Sequence, residues 1–193
     1  GRNGGFCCIG GSGKSYFDLA KKFGDAEVKK FARLECEAID LVDQRLADWN
    51  LNVDRHSDGE VVLAHKESRV DELHEEAKEF AHFTNIQTEF LDRDALKERG
   101  LNASETHAGL HVKAGFGINP MKYLAGLHEQ CIRAGVRILE QAKIDRFEET
   151  SGKYTLYAGA TQIEANKIVI ATNGYSAENL PDWIGGKLMP VFS

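Results

Sequence analysis

Proline is scarce in these 193 residues, with only three, and no stretch gathers proline with serine. That argues against lobes strung on a tether, so any second lobe is interleaved with the first. Long apolar runs are also missing, and the longest fall short of the roughly 20 residues a membrane-spanning helix needs. Clustered cations are absent as well. The 24 Lys and Arg are outnumbered by 30 Asp and Glu, giving a formal net charge of −6, whereas a surface that follows nucleic-acid phosphates needs gathered basic side chains. Cys7, Cys8, Cys36 and Cys131 form no CxxC pair and no zinc-like spacing. A bond between adjacent Cys7 and Cys8 would close a strained ring, so a reducing, cytoplasmic setting is expected. No initiating Met and no leader-like opening are present, and the first residues fall inside a glycine motif, so both ends read as cut.

What is present reads as a mixed α+β chain. Val28, Phe31, Ala38, Val42, Leu46 and Trp49 recur every three or four residues, which predicts one long amphipathic helix ending near Asn50. Val61-Val62-Leu63-Ala64 follows the turn signal Ser57-Asp58-Gly59 and reads as a strand. Val70, Leu73, Ala77 and Phe80 mark a second helix. Residues 94–100 suit a short helical turn closed by Gly100. Asn119 can cap a helix that begins at Pro120, carries Met121, Leu124, Leu127 and Cys131 as its apolar stripe, and ends at Gly135. Residues 136–139 are expected as a strand, 154–157 and 162–164 as a hairpin around Gly159, and 167–171 as a buried strand.

The run Cys8-Ile9-Gly10-Gly11-Ser12-Gly13-Lys14-Ser15 ends like a phosphate-binding loop and precedes a plausible helix. The full pattern requires glycine five residues before Gly13, where the backbone turns its N–H groups toward phosphate, and that position holds Cys8. No apolar strand ending in Asp follows to hold magnesium. A nucleotide-phosphate enzyme built on Gly13-Lys14-Ser15 therefore stands as one alternative. A non-catalytic domain, docking through the charged stretch 67–79, stands as another.

Three further stretches carry a resemblance. The first is Gly1-Arg2-Asn3-Gly4-Gly5, the second runs from Gly115 through Asn119-Pro120, Gly126-Leu127 and Gly135-Val136 to Glu140, and the third is Ile168-Val169-Ile170-Ala171-Thr172-Asn173-Gly174-Tyr175-Ser176. In that order they resemble the FAD-dependent D-amino-acid oxidase superfamily, in its glycine oxidase and gamma-glutamylputrescine oxidoreductase-like branch. The resemblance implies part of an FAD-binding Rossmann-like domain interleaved with an antiparallel-sheet substrate domain. Residues 1–50 and 116–176 would belong to the flavin side, 51–115 to the substrate side, and 177–193 to the start of a return to it.

FAD is the cofactor so implied. Gly1, Arg2, Asn3, Gly4 and Gly5 would lie against the flavin, Ile144 would touch the nucleotide through its main chain, and Ala171, Thr172, Asn173 and Gly174 would form a turn near the phosphates. Glycines suit such a loop because a backbone that must touch a flat ring cannot carry Cβ atoms. The resemblance also implies hydride transfer from the carbon beside a neutral amine, giving an imine that hydrolyses, with a small amine or amino acid as substrate. No side chain need act as a strict acid or base. Arg2 can pair with flavin or with a substrate carboxylate, and His111 can face the pocket. The dinucleotide fingerprint GxGxxG is absent from these residues. A chain beginning at Gly1 is therefore expected to hold FAD weakly, lacking the helix-terminus site for the diphosphate. The sequence around Phe6-Cys7-Cys8 and the Gly-Lys-Ser run also departs from the family's helix start.

Overall fold

The computed structural model describes residues 3–172. They fall into two compact units dividing between Cys131 and Ile132.

In the first unit a two-residue strand, β1 (Phe6–Cys7), leads through the glycine loop into helix α1 (Tyr16–Phe23) and then α2 (Asp25–Asp48). Gly24, at φ +82°, makes the joint: its N–H donates to the Ala20 carbonyl, and a left-handed backbone there costs glycine nothing. The expected long helix is thus preceded by a separate short one. Its buried face is Val28, Ala32 and Leu46, with Phe31, Ile39 and Val42 half-buried, whereas Ala38 is exposed. Trp49 caps the helix, with the Arg45 guanidinium 4.9 Å from its ring.

Strand β2 (Glu60–Ala64), a 3-10 turn at Glu67–Arg69, helix α3 (Val70–Phe83), strand β3 (Thr88–Leu91), helix α4 (Arg93–Glu98) and strand β4 (Ala108–Val112) follow. The three strands form an antiparallel sheet in the order β2-β4-β3. Strand β4 takes the middle because Ala108, Gly109, Leu110 and Val112 are all buried, which suits a strand flanked on both edges. Leu73, Phe80 and Phe83 of α3 pack with Leu110, Val112, Val28 and Tyr16 into the main core. Strand β5 (Phe116–Gly117) pairs antiparallel with β1, and helix α5 (Pro120–Arg133) begins as its sequence demands. The Asn119 carboxamide oxygen accepts from the N–H groups of Met121 and Lys122, and Gly135 follows the helix at φ +79°.

The second unit is an antiparallel meander of β6 (Arg146–Thr150), β7 (Lys153–Ala158) and β8 (Thr161–Ala165). The hairpin around Gly159 is where the sequence put it, and β6 is an additional strand. Two expected strands do not form among the described residues. Residues 136–139 and 167–171 have no ladder partner among the described residues, and Val136, Leu139 and Val169 are 50%, 65% and 90% exposed. Their apolar, β-branched composition is a preference for a pleated, covered surface; without a neighbouring strand to bond or a layer to cover it, that preference yields no strand. Every ladder among the described residues is antiparallel.

Candidate functional site

The segment after Asn3 is pinned tightly. The Asn3 carboxamide oxygen accepts from the Gly5 N–H at 2.7 Å, and the Gly5 carbonyl accepts from the Ile118 N–H at 2.8 Å. Gly5 has φ +81°, and a Cβ there would lie 2.2 Å from the Ile118 carbonyl oxygen, so only glycine fits. The Gly4–Gly5 backbone forms one wall of a cleft of about 640 Å³. The turn at residues 56–59, Glu60 and His111 line the same cleft, and Phe116, Gly117 and Ile118 supply its floor.

His111 is held at both nitrogens. Its Nε2 lies 2.6 Å from the Asp58 carbonyl oxygen and its Nδ1 3.3 Å from Arg99 Nη1. A carbonyl only accepts and a guanidinium only donates, so the ring is the Nε2–H tautomer with Nδ1 accepting. Arg99 is in turn fixed by Glu89, with Nη2 2.5 Å from Oε1. His56 lies across Gly117, and its Nδ1 is 2.8 Å from Ser57 Oγ. Cys8 also lines this cleft. Burial, with the Glu60 carboxylate adding to it, pushes its thiol up to about 11, so it is neutral at physiological pH and a poor nucleophile.

Gly4, Gly5 and His111 are thus brought to one cleft. In the second unit Ile144, Ala171 and Thr172 line a cavity of about 140 Å³ with Phe147, Leu156, Ile168 and Ile170. Gly1, Arg2, Asn173 and Gly174 lie outside the described residues, as do residues 177–193. The turn at residues 56–59 and Glu60 were not singled out from the sequence as site residues. Only the Ser57-Asp58-Gly59 turn signal marked that place, and it carries no chemistry of its own.

The Gly-Lys-Ser loop has a different environment. The Gly10 and Gly11 N–H groups donate to the Glu35 carboxylate at 3.1 and 2.9 Å, and the Tyr16 N–H at the start of α1 donates to Glu79 at 2.9 Å. The Gly13 N–H is spent on the Gly10 carbonyl and the Lys14 N–H on Ser12 Oγ. Asp71, Glu72, Glu75, Glu76 and Glu79 face the loop across a cleft of about 560 Å³. The amides of Gly10, Gly11 and Tyr16 are therefore occupied by carboxylates and those of Gly13 and Lys14 within the loop itself, in a field that repels anions.

The sequence pattern of the family described as FAD dependent oxidoreductase matches residues 1–193. The chain belongs to that family. FAD is accordingly the family's cofactor, and the glycine-walled cleft suits it, since backbone without side chains can come close to a planar ring. The probable oxidoreductase OrdL of Haemophilus influenzae is 27% identical over 197 residues, covering all of this chain and 45% of its own length. The gamma-glutamylputrescine oxidoreductase of Escherichia coli is 20% identical over 190 residues, 98% of this chain and 44% of its own. Among solved structures, glycine oxidase from Geobacillus kaustophilus superposes with a TM-score of 0.69 at 16% identity, over 77% of this chain and 41% of its own. This family member thus spans about half the length of the curated relatives it matches and shares the glycine oxidase fold. No helix among the described residues is long and apolar enough to cross a membrane.

Proposed function

We propose that the chain is the flavin-contacting part of an enzyme that oxidises a small amine or amino acid to an imine, which water then hydrolyses. The observation that carries the reading is the shared cleft of about 640 Å³, where the Gly4–Gly5 wall meets His111, within a chain of an FAD-dependent family. The matched relatives named for glycine and gamma-glutamylputrescine point to amine-bearing substrates.

Bound FAD supplies the acceptor for the hydride that leaves the carbon beside the amine nitrogen. The chain's own residues then bind, orient and desolvate. Gly4 and Gly5 offer main chain to the ring, and Asn3, whose oxygen is spent on Gly5, keeps its carboxamide N–H donors for the cofactor. Phe116, Ile118 and Val61 keep part of the cleft apolar, which favours the uncharged amine from which hydride leaves. Asp58 and Glu60 also line the cleft and favour a cation, so they draw the substrate in as its ammonium form, which gives up one N–H proton to solvent before the hydride leaves. In the second unit the main chain at Ile144 and the Ala171–Thr172 segment are assigned to the nucleotide end of FAD. Arg2, Asn173, Gly174 and the four-segment division at residues 50, 115 and 176 belong to the same reading.

The test is to purify the whole natural protein that carries this segment. The expected product is yellow, with a flavin absorbance band that an amine or amino acid bleaches without air. A colourless protein that ignores added FAD would overturn the assignment.

A further inference from the structure

We infer that His56 is the cleft's ligand-facing imidazole, accepting an N–H of the substrate's ammonium group, and that Gly117 and His111 are positioning residues that hold it there. The identity of the ligand rests on the amine-oxidation reading above; the placement of the ring does not.

His56 is exposed and lines the cleft. Its Nδ1 meets Ser57 Oγ, while its Nε2 has no hydrogen-bond partner among the described residues. Serine can donate or accept, so this contact fits both tautomers; an ammonium ligand selects the one in which Nδ1–H donates to the serine oxygen and Nε2 keeps its lone pair as an acceptor. His111 is the opposite case. Both its nitrogens are spent within the protein and its side chain is only 15% exposed. Asp58 and Glu60 line the same cleft as His56, while the nearby guanidiniums of Arg55 and Arg99 are paired with Asp43 and Glu89, so the polar partner the cleft favours is a cation.

The chain invests backbone in this ring. A Cβ on Gly117 would lie 2.2 Å from His56 Cε1, 2.6 Å from Nε2 and 2.8 Å from Nδ1, yet Gly117 is not among the residues with positive φ. A side chain at Gly117 would therefore displace the exposed imidazole from its place rather than strain its own backbone. His56 and Gly117 also exchange main-chain hydrogen bonds at 3.1 and 2.9 Å. The adjoining turn is strained: Ser57 sits at φ +67° and Asp54 at φ +52°, both non-glycine residues in the left-handed region. The His111 Nε2–H bond to the Asp58 carbonyl holds this turn, with Gly59 N–H on the Gly115 carbonyl as its second anchor.

The experiment labels histidine with 15N in the whole natural protein and adds n-butylammonium chloride, with and without FAD; His56→Gln identifies the His56 resonances. Expected is a shift of the His56 Nε2 resonance on adding the amine, while His111 keeps the pattern of an Nε2–H tautomer throughout. Gly117→Ala should abolish the response or weaken apparent affinity about tenfold or more, the scale of one hydrogen bond to a charged group. If that variant fails to fold, His111→Gln and His111→Leu decide. Glutamine retains a donor for Asp58 and should keep the response, and leucine should lose it. A response at His111 in place of His56, or none at any histidine, overturns the inference. So does an amine response unchanged in both Gly117→Ala and His111→Leu, or a His56 shift that FAD alone reproduces in full. Absence of flavin colour would sink the amine-oxidase reading and leave the contrast between His56 and His111 to be read in its own right.

Discussion

Gly5 and Gly117 both face a close approach, Gly5 from a backbone carbonyl and Gly117 from the exposed His56 ring, and only the first has no room to give. At Gly5 the left-handed backbone and the Ile118 carbonyl act together, so Gly5→Ala must strain φ and push β5 aside. The expected loss is about 2–3 kcal/mol by urea denaturation, from overpacking added to backbone strain. A loss under roughly 0.5 kcal/mol, the range of an ordinary surface change, would show that the wall is not held as described. Leu110 is fully buried at the centre of the three-stranded sheet, whereas Val169 is 90% exposed. Leu110→Ala should therefore cost about 2–5 kcal/mol, and Val169→Ala should stay within about 0.5 kcal/mol. Equal costs at the two positions would mean that residues 167–171 are covered in solution. The sequence suggested burial for Val169 because a run of apolar residues identifies what wants cover without showing what provides it.

The helices were legible because their signals are local. Asn119 caps, Pro120 opens and Gly135 follows α5, all from residues within one turn of the helix ends. Strands β1, β3, β4, β5 and β6 were missed, and residues 136–139 and 167–171 overcalled, because strand formation depends on partners distant in sequence. Gly126 adds a requirement that no local signal carries: a Cβ there would lie 2.5 Å from Leu51 Cδ1. Gly126→Ala gains helix propensity but must displace Leu51, so the net expectation is a loss of about 1 kcal/mol. The same substitution made in Leu51→Ala should instead stabilise, and a thermodynamic cycle over the four proteins checks the sign. Helix α3 carries a pH-dependent term. Burial, then the charges of Glu79 and Glu60, holds the Glu76 carboxyl above its usual value. A folded-state value above the unfolded one favours folding fully below the unfolded value, and the benefit is lost as pH rises through the folded value. Glu76→Gln should therefore stabilise the protein near pH 7 by about 0.2–0.5 kcal/mol, the scale of a like-charge pair on a helix. The gain should vanish near pH 4, and a gain that persists there would place its cause elsewhere.

At the scale of the molecule, the Gly4–Gly5 wall and His111, far apart in the chain and both expected near the cofactor or substrate, line one cleft, and His56 and Glu60 join it only when β2, β4 and β5 fold around them. The Gly-Lys-Ser loop shows the reverse, a local motif whose meaning its surroundings change. A phosphate-binding loop works by leaving several N–H groups free at a positive helix end. Here Glu35 and Glu79, brought in from α2 and α3, accept from Gly10, Gly11 and Tyr16, and the opposite wall is acidic. Binding a triphosphate would require expelling two carboxylates and overcoming the repulsion of the rest. Millimolar ATP with magnesium should therefore leave the melting temperature unchanged within about 1 °C. A ligand present at 100 times its dissociation constant would add about 2.7 kcal/mol of stability, a shift several times larger for a protein of this size. Glu35→Gln and Glu79→Gln should stay unresponsive too, because Asp71, Glu72, Glu75 and Glu76 remain. Stabilisation by magnesium ATP in the unaltered protein would restore the nucleotide-phosphate alternative, while stabilisation by FAD alone would leave the loop as a structural joint whose amides serve the fold.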